Sequence, residues 1–160
     1  MTAGALHLIS GKIAAGKSTL AARLAAENGG VVIAQDFWLS TLYPGEIVDL
    51  AGYRRASERL RAAIAPLIVA MVKGGQAVVL DFPANTVVSR AWMKQLADEA
   101  GIVAQLHFLD PSDEECRARM HARNASGTHP YHVDDATFDQ FTAHFVPPGD
   151  DEGFAIVRYG

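Results

Sequence analysis

Residues 11–18 read Gly11-Lys12-Ile13-Ala14-Ala15-Gly16-Lys17-Ser18, an uninterrupted match to the spacing G-x-x-x-x-G-K-[ST]. No other stretch restricts the fold of this chain as much. The run before it, Ala5–Ser10, is apolar enough for a buried strand. The run after it, Lys17–Asn28, is rich in Ala and Leu and is stopped by Gly29-Gly30. A glycine-rich turn between a strand and a helix lets backbone N–H groups converge, because glycine takes angles closed to other residues. The partial positive end of a helix starting near Lys17 adds to that field. Such a loop holds a polyphosphate. Gly11, Ala14, Ala15, Gly16, Lys17, Ser18 and the adjoining Thr19 are the expected nucleotide contacts, with Ala14 and Ala15 leaving the loop unobstructed. Lys17 has the reach for the β- and γ-phosphates, and Ser18 is an expected Mg²⁺ ligand. Lys12 is expected to face solvent.

Apolar runs and helical patterns alternate along the rest of the chain. Val31–Gln35, Ala77–Asp81, Ile102–Leu109 and Phe154–Tyr159 read as further strands. Arg54–Lys73 reads as a helix bent or restarted at Pro66. Thr86–Ala100 and Asp134–Phe145 are also helical. Ser112 and Glu115 form an S-x-x-E capping box for a helix running to about Arg123, followed by a polar loop, Asn124–Val133. Continuous apolar strands between helices predict an α/β fold with a parallel sheet covered on both faces. The 160 residues suit one domain. Ligands of such sheets sit outside the carboxyl ends of the strands.

Composition narrows the partners. The chain is 49% hydrophobic and 20% charged, an ordinary balance for a globular protein. A formal net charge of -4 argues against a nucleic-acid footprint, which needs a basic face. A small molecule held by a few local cations fits better. Cys116 is the sole cysteine, so no internal disulfide forms; a reducing compartment and a small buried side chain are expected. No leader pattern opens the sequence, and the longest apolar stretch, Ile64 to Val72, is interrupted by Pro66 and too short for a bilayer. A cytoplasmic location without a membrane partner is expected. The oligomeric state stays open between monomer and weak dimer.

Three further groups bear on chemistry. Asp36 follows the second strand in "VVIAQDFW", where it suits either a general base for a substrate hydroxyl or a turn aspartate. Asp81 ends "AVVLD", which suits either an acid that orients Mg²⁺ or a structural strand end. Asp110 ends "LHFLD" similarly, but the Pro-Ser that follows points to a structural role. Arg119 and Arg123 lie four apart on one helix with Arg117 nearby, which suits either a phosphate-gripping lid or a solvated face. The guanine-reading N-K-x-D pattern is absent, which counts against a GTP switch.

Taken together, "GKIAAGKST", an Asp after the second strand, "VVLDFPANT" and "CRARMHARN" resemble the small P-loop kinases. These are the zeta-toxin, chloramphenicol phosphotransferase and polynucleotide 5′-kinase type, the compact "AAA domain" group. The resemblance implies a P-loop NTPase, nucleotide-kinase-like three-layer sandwich with five parallel strands in the order 2-3-1-4-5. It implies ATP and Mg²⁺ as cofactors, Asp36 as catalytic aspartate, Lys17 and Ser18 as phosphate and metal ligands, and Arg119 and Arg123 as lid arginines. One departure bears on the metal role of Asp81: many relatives carry D-x-T/N or an acid after the third strand, where this chain has Phe82-Pro83-Ala84-Asn85.

The segment 37–55 is expected to be a long substrate-side loop, and 117–133 a lid-like segment. Trp38, Tyr43 and Tyr53 suit a sugar or ring, and Arg54 and Arg55 an anion, or each is packing or solvated surface. Pro147 to Gly153 is expected to border the adenine. The expected activity is ATP-dependent transfer of the γ-phosphoryl group to a hydroxyl of a small molecule, with Asp36 as base. The alternatives are a nucleotide-binding ATPase or regulatory module without an acceptor, and a family member that has lost its reaction.

Overall fold

The frame is set by β1, Ala5–Ser10, whose neighbours lie on both sides: His7 pairs with Val79 on one flank and with Gln105 on the other. Around it stand β2 (Val31–Ala34), β3 (Ala77–Asp81), β4 (Gln105–Leu109) and β5 (Ala155–Tyr159), in the order β2-β3-β1-β4-β5, all parallel. The fold class and strand order are those expected. A computed structural model describes residues 4–127 and 132–159; part of the expected lid segment, 128–131, lies outside the described residues.

Side chains alternate across a strand, so each face of the sheet has its own core. Leu6, Leu8, Val78, Leu80 and Leu106 pack with Ile64, Ile68 and Val72 of α3 (Leu50–Lys73) and with Met93 and Leu96 of α4 (Val87–Ala100). On the other face Ile9 and Val79 meet Leu20, Ala21 and Leu24 of α1 (Lys17–Asn28). A third cluster joins Ala15 of the Gly-rich loop to Cys116 and Met120 of α5 (Asp113–Ser126) and Phe138 of α6 (Asp135–His144). Cys116 is buried, as expected, and burial pushes its thiol pKa up.

Several boundaries differ from the sequence reading. Gln35 leaves the second strand and opens α2, Gln35–Leu42, so 37–55 is not one long loop but a helix, a short connector and the first turns of α3. Asp49 starts α3 by accepting from the Gly52 N–H at 2.7 Å. That helix is continuous through Pro66. Ala56, Leu60, Ile64, Ile68 and Val72 form a buried stripe at i, i+4 spacing, each large apolar residue contributing roughly 1.5–3 kcal/mol. Pro66 and Ala62, one turn before it, are both exposed on the solvent face, where water satisfies the carbonyl that proline leaves without a donor. The fourth strand starts at Gln105 rather than Ile102, because Gly101 turns left-handed and the Ile102 N–H bonds back to Ala97 O at 3.0 Å. Ser112 caps α5 through the Glu115 N–H, and the helix continues past Arg123 to Ser126.

Two strand histidines break the apolar pattern. His7 Nδ1 lies 3.0 Å from His107 Nε2, and His107 Nδ1 lies 2.8 Å from the Tyr159 hydroxyl, a chain across β1, β4 and β5. Both histidines are buried. Burial lowers both pKa values, that of His107 to about 4, with the neighbouring His7 and Arg23 acting in the same direction.

Candidate active site

The loop between β1 and α1 bends where its residue types allow. Gly16 takes φ 103° and Ala14 takes φ 61°, the one non-glycine with positive φ among the described residues. Alternating left-handed positions turn successive N–H groups inward, and no side chain caps the first turn of α1. The Gly11 N–H donates to Asn85 Oδ1 at 3.1 Å, so the β3–α4 loop fixes where the turn begins. Lys12 is not free in solvent: its ammonium bonds Asp113 Oδ1 at 2.6 Å and lies over the Phe145 ring, 5.5 Å from the centroid. The short charge-assisted bond and the ring hold it against the first turn of α5.

Lys17 folds back over the loop, donating to Gly11 O at 2.9 Å and Lys12 O at 3.0 Å. Burial lowers its pKa, while the carboxylates of Asp81 and then Asp36 favour its charged form and Arg123 opposes it. Four sequence-predicted residues from four elements therefore share one electrostatic neighbourhood. Ser18 donates its hydroxyl to Asp81 Oδ2 at 2.7 Å. Thr19 is exposed on the following turn.

Asp36 sits in the first turn of α2, not on a loop, which sets its carboxylate in the positive field of a helix start. Tyr53 donates its hydroxyl to Asp36 Oδ1 at 3.3 Å. The buried Gln35 amide donates to the Tyr53 oxygen at 2.9 Å and to Ser57 Oγ at 3.3 Å, tying α2 to α3. Of the segment's other aromatics, Tyr43 packs on the main core and Trp38 is partly exposed, beside the exposed Phe37.

The arginines of α5 diverge. Arg119 Nη1 donates to Ala15 O at 3.2 Å, directly on the loop. Arg123 lies near Asp36, whose charge offsets the cost of burying the guanidinium, and its Nε has no hydrogen-bond partner among the described residues. Arg117 turns away to Asp135 and Asp139 and stacks 4.7 Å from the Phe138 ring centroid.

Sequence reasoning passed over Asn85 and Arg90. Arg90 is fully buried; it donates to Ala84 O at 3.0 Å, Val146 O at 2.8 Å and Pro147 O at 3.3 Å and pairs with Glu152 at 2.8 Å. It thereby locks the loop carrying Asn85 to the chain after α6. The stretch expected to border the adenine starts beside Asn85, with Arg90 on Pro147 O, packs along α4 with Gly153 against Lys94, and leads into the amino end of β5.

The sequence matches the family described as "AAA domain" over residues 6–148. The chain belongs to that family. No curated protein matches it. Among solved structures it is similar to a candidate kinase from Chloroflexus aurantiacus j-10-fl, at 21% identity and TM-score 0.79 over 98% of this chain and 88% of that one. It is similar to Chaetomium thermophilum Kti12 in complex with ADP-AlF3, at 14% identity and TM-score 0.72 over 96% and 88% of the two chains. It is similar also to the Mycobacterium tuberculosis APS kinase CysC in complex with AMPPNP and APS, at 18% identity and TM-score 0.65 over 99% and 89%. The AAA-domain chain therefore has a P-loop kinase-like fold. Among its described residues, no helix is long and apolar enough to cross a membrane.

Proposed function

We propose that this AAA-domain protein is an ATP-dependent kinase that transfers the γ-phosphoryl group to a hydroxyl of a small molecule. The observation carrying this reading is the left-handed turn at Ala14 and Gly16 with the Lys17 ammonium folded over it and the Ser18–Asp81 pair beside it, while the charges of Asp81 and Asp36 favour the ammonium. The residues fit a polyphosphate: an inward-turned loop, an uncapped helix start and a desolvated lysine. They also fit Mg²⁺. The Ser18 hydroxyl and Asp81 carboxylate lie side by side, and this hard ion takes one or two such oxygens alongside phosphate and water. When bound, Mg²⁺ neutralises charge on the phosphoryl oxygens.

In this reading Lys17 and the loop amides orient the phosphates. The acceptor hydroxyl oxygen bonds to the γ-phosphorus as the bond to the β–γ bridging oxygen breaks, ADP leaves, and the hydroxyl proton passes to Asp36. Tyr53 and the helix start hold that carboxylate in place. Arg119 and Arg123 face the charge that develops on the phosphoryl group.

Asp36→Asn keeps shape and removes the proton acceptor. Transfer to an acceptor should fall by about 10²–10⁴-fold, the range for a general base, with ATP binding by calorimetry nearly unchanged. Near wild-type transfer would rule out the base. Release of ADP that no hydroxyl compound accelerates would instead support an ATPase without an acceptor.

A further inference from the structure

Arg61 is a guanidinium that the proposed reaction leaves unused and that, unlike Arg90 and Arg117, no described carboxylate or carbonyl engages. It sits two turns after Tyr53 on α3, on a side shared with Ser57. It lies over the Trp92 ring, 5.4 Å from the centroid, and Trp92 stacks on Phe82 at 5.8 Å. Phe82 directly follows Asp81, and Tyr53 is the residue that reaches Asp36. Arg61 therefore stands between the aromatic pair that follows the Asp81 strand end and the face of α3 whose Tyr53, close enough for its field to act on Arg61, reaches Asp36.

Its polar needs are not met from within. Arg61 makes no hydrogen bond or ion pair to any described residue, and its Nε is buried without a partner. Burial lowers its pKa, and only the fields of Tyr53 and Glu58 oppose that cost. Arg90, which is fully buried, spends its donors on three carbonyls and Glu152. Arg61 as a whole is half-buried, but a sealed Nε–H without a partner is costly, and a guanidinium resting over an indole is held in place for an oxyanion. Helical side chains lean toward the helix N-terminus, which tilts the Arg61 stem back toward Tyr53.

We propose, on the basis of the kinase reading above, that Arg61 anchors the acceptor. The acceptor then carries, besides its hydroxyl, an anionic group: a carboxylate or a phosphate ester. The rings of Trp92 and Phe82 fix the plane of the guanidinium, and the span from Arg61 to Asp36 sets which hydroxyl is presented to the base. Arg61 is in this sense a specificity-determining residue.

The test is calorimetric binding of matched probes in the presence of ADP and Mg²⁺: gluconate, a hexose phosphate and glucose, then glycerate, glycerol phosphate and glycerol. One charged class should bind tighter than its neutral counterpart by about 10- to 100-fold, the value of a charge-assisted hydrogen bond, and which class does so separates carboxylate from phosphate ester. Arg61→Gln should erase that preference and Arg61→Lys should keep part of it, with ADP affinity unchanged and cooperative melting retained in both. Equal binding of charged and neutral probes, no binding of any charged probe, or an unaltered preference in Arg61→Gln overturns the subsite. Product formation in the same mixtures separates the two claims. Charged probes that bind through Arg61 and are never phosphorylated would sink the kinase reading alone. Neutral probes phosphorylated as well as charged ones would sink the subsite alone.

Discussion

The Ser18 hydroxyl reaches the Asp81 carboxylate at 2.7 Å, joining the first turn of α1 to the end of β3. An oxygen pair in this position is suited to a hydrated ion that has shed only some of its water. Asp81→Asn keeps the hydrogen bond and removes the charge. Its apparent Mg²⁺ requirement for nucleotide binding should rise by about 10–100-fold, the usual effect of losing a metal-orienting partner. Magnesium titrations followed by calorimetry measure this directly, and an unshifted titration would leave Asp81 as a strand-end residue.

Lys17→Ala removes the one ammonium that folds over the loop. Nucleotide triphosphate affinity should drop by about 10–100-fold, as expected for a charge-assisted contact, and turnover should vanish. The far-ultraviolet spectrum and cooperative melting should persist, because among the described residues the lysine hydrogen-bonds only loop carbonyls. Unchanged affinity would contradict the phosphate reading of the loop.

Arg119→Ala and Arg123→Ala should slow transfer more than they weaken ADP binding. Contacts to charge that grows in the transition state act on rate before ground-state affinity. Arg119 already rests on Ala15 O, so its loss should also loosen the loop slightly; Arg123 should show the purer rate effect. Single-turnover rates beside ADP titrations distinguish them, and equal losses in both quantities would make the arginines simple binding groups.

The His7–His107–Tyr159 chain predicts acid sensitivity. His107 is held neutral when folded, with a pKa of about 4, against 6.5 when unfolded. The unfolded chain therefore binds the proton first. The stability linked to this group is complete above about pH 6.5, is lost as pH falls toward 4, and changes little below that, a total on the order of 3 kcal/mol. Asp134, Asp135 and Glu152, whose pKa values are lowered, lose their contributions only at lower pH, below their ordinary carboxylate values. Urea unfolding between pH 7 and 4 should show the decline in wild type and a shallower one in His107→Gln. Identical slopes would remove the histidine from the account.

Much of the frame was legible because its signals were local. Ala5–Ser10, Lys17–Asn28 and Ala77–Asp81 carry an apolar run or a terminating glycine, and each has the predicted bounds. The start of α2 was not legible. Gln35 and Asp36 enter a helix straight from a strand, without a capping side chain or breaker, and what holds Gln35 is Tyr53 and Ser57 far along the chain. Pro66 shows the opposite case: its local signal is strong, yet the helix does not restart there, because a buried stripe on the other face outweighs it. Of the site, the loop residues and Asp81 came from spacing, while Asn85 and Arg90 act through contacts that no spacing encodes. The histidines in "ALHLIS" and "QLHFL" sit inside runs that read as apolar, and their partnership depends on strand order.

The bond from Gly11 N–H to Asn85 spans 74 positions of the chain, and the Val146 N–H in turn bonds the Asn85 carbonyl at 2.8 Å. A fragment that stopped short of β3 would contain every residue of the phosphate-loop signature and lack its backbone anchor. The loop's anchored shape therefore depends on β3 having paired with β1, a non-local contact that carries a loop-closure entropy cost. A ligand that grips the finished loop therefore selects chains that have already made that pairing, and it raises the folded-to-unfolded ratio by a factor of one plus the free ligand concentration over Kd, which keeps growing after the site is full.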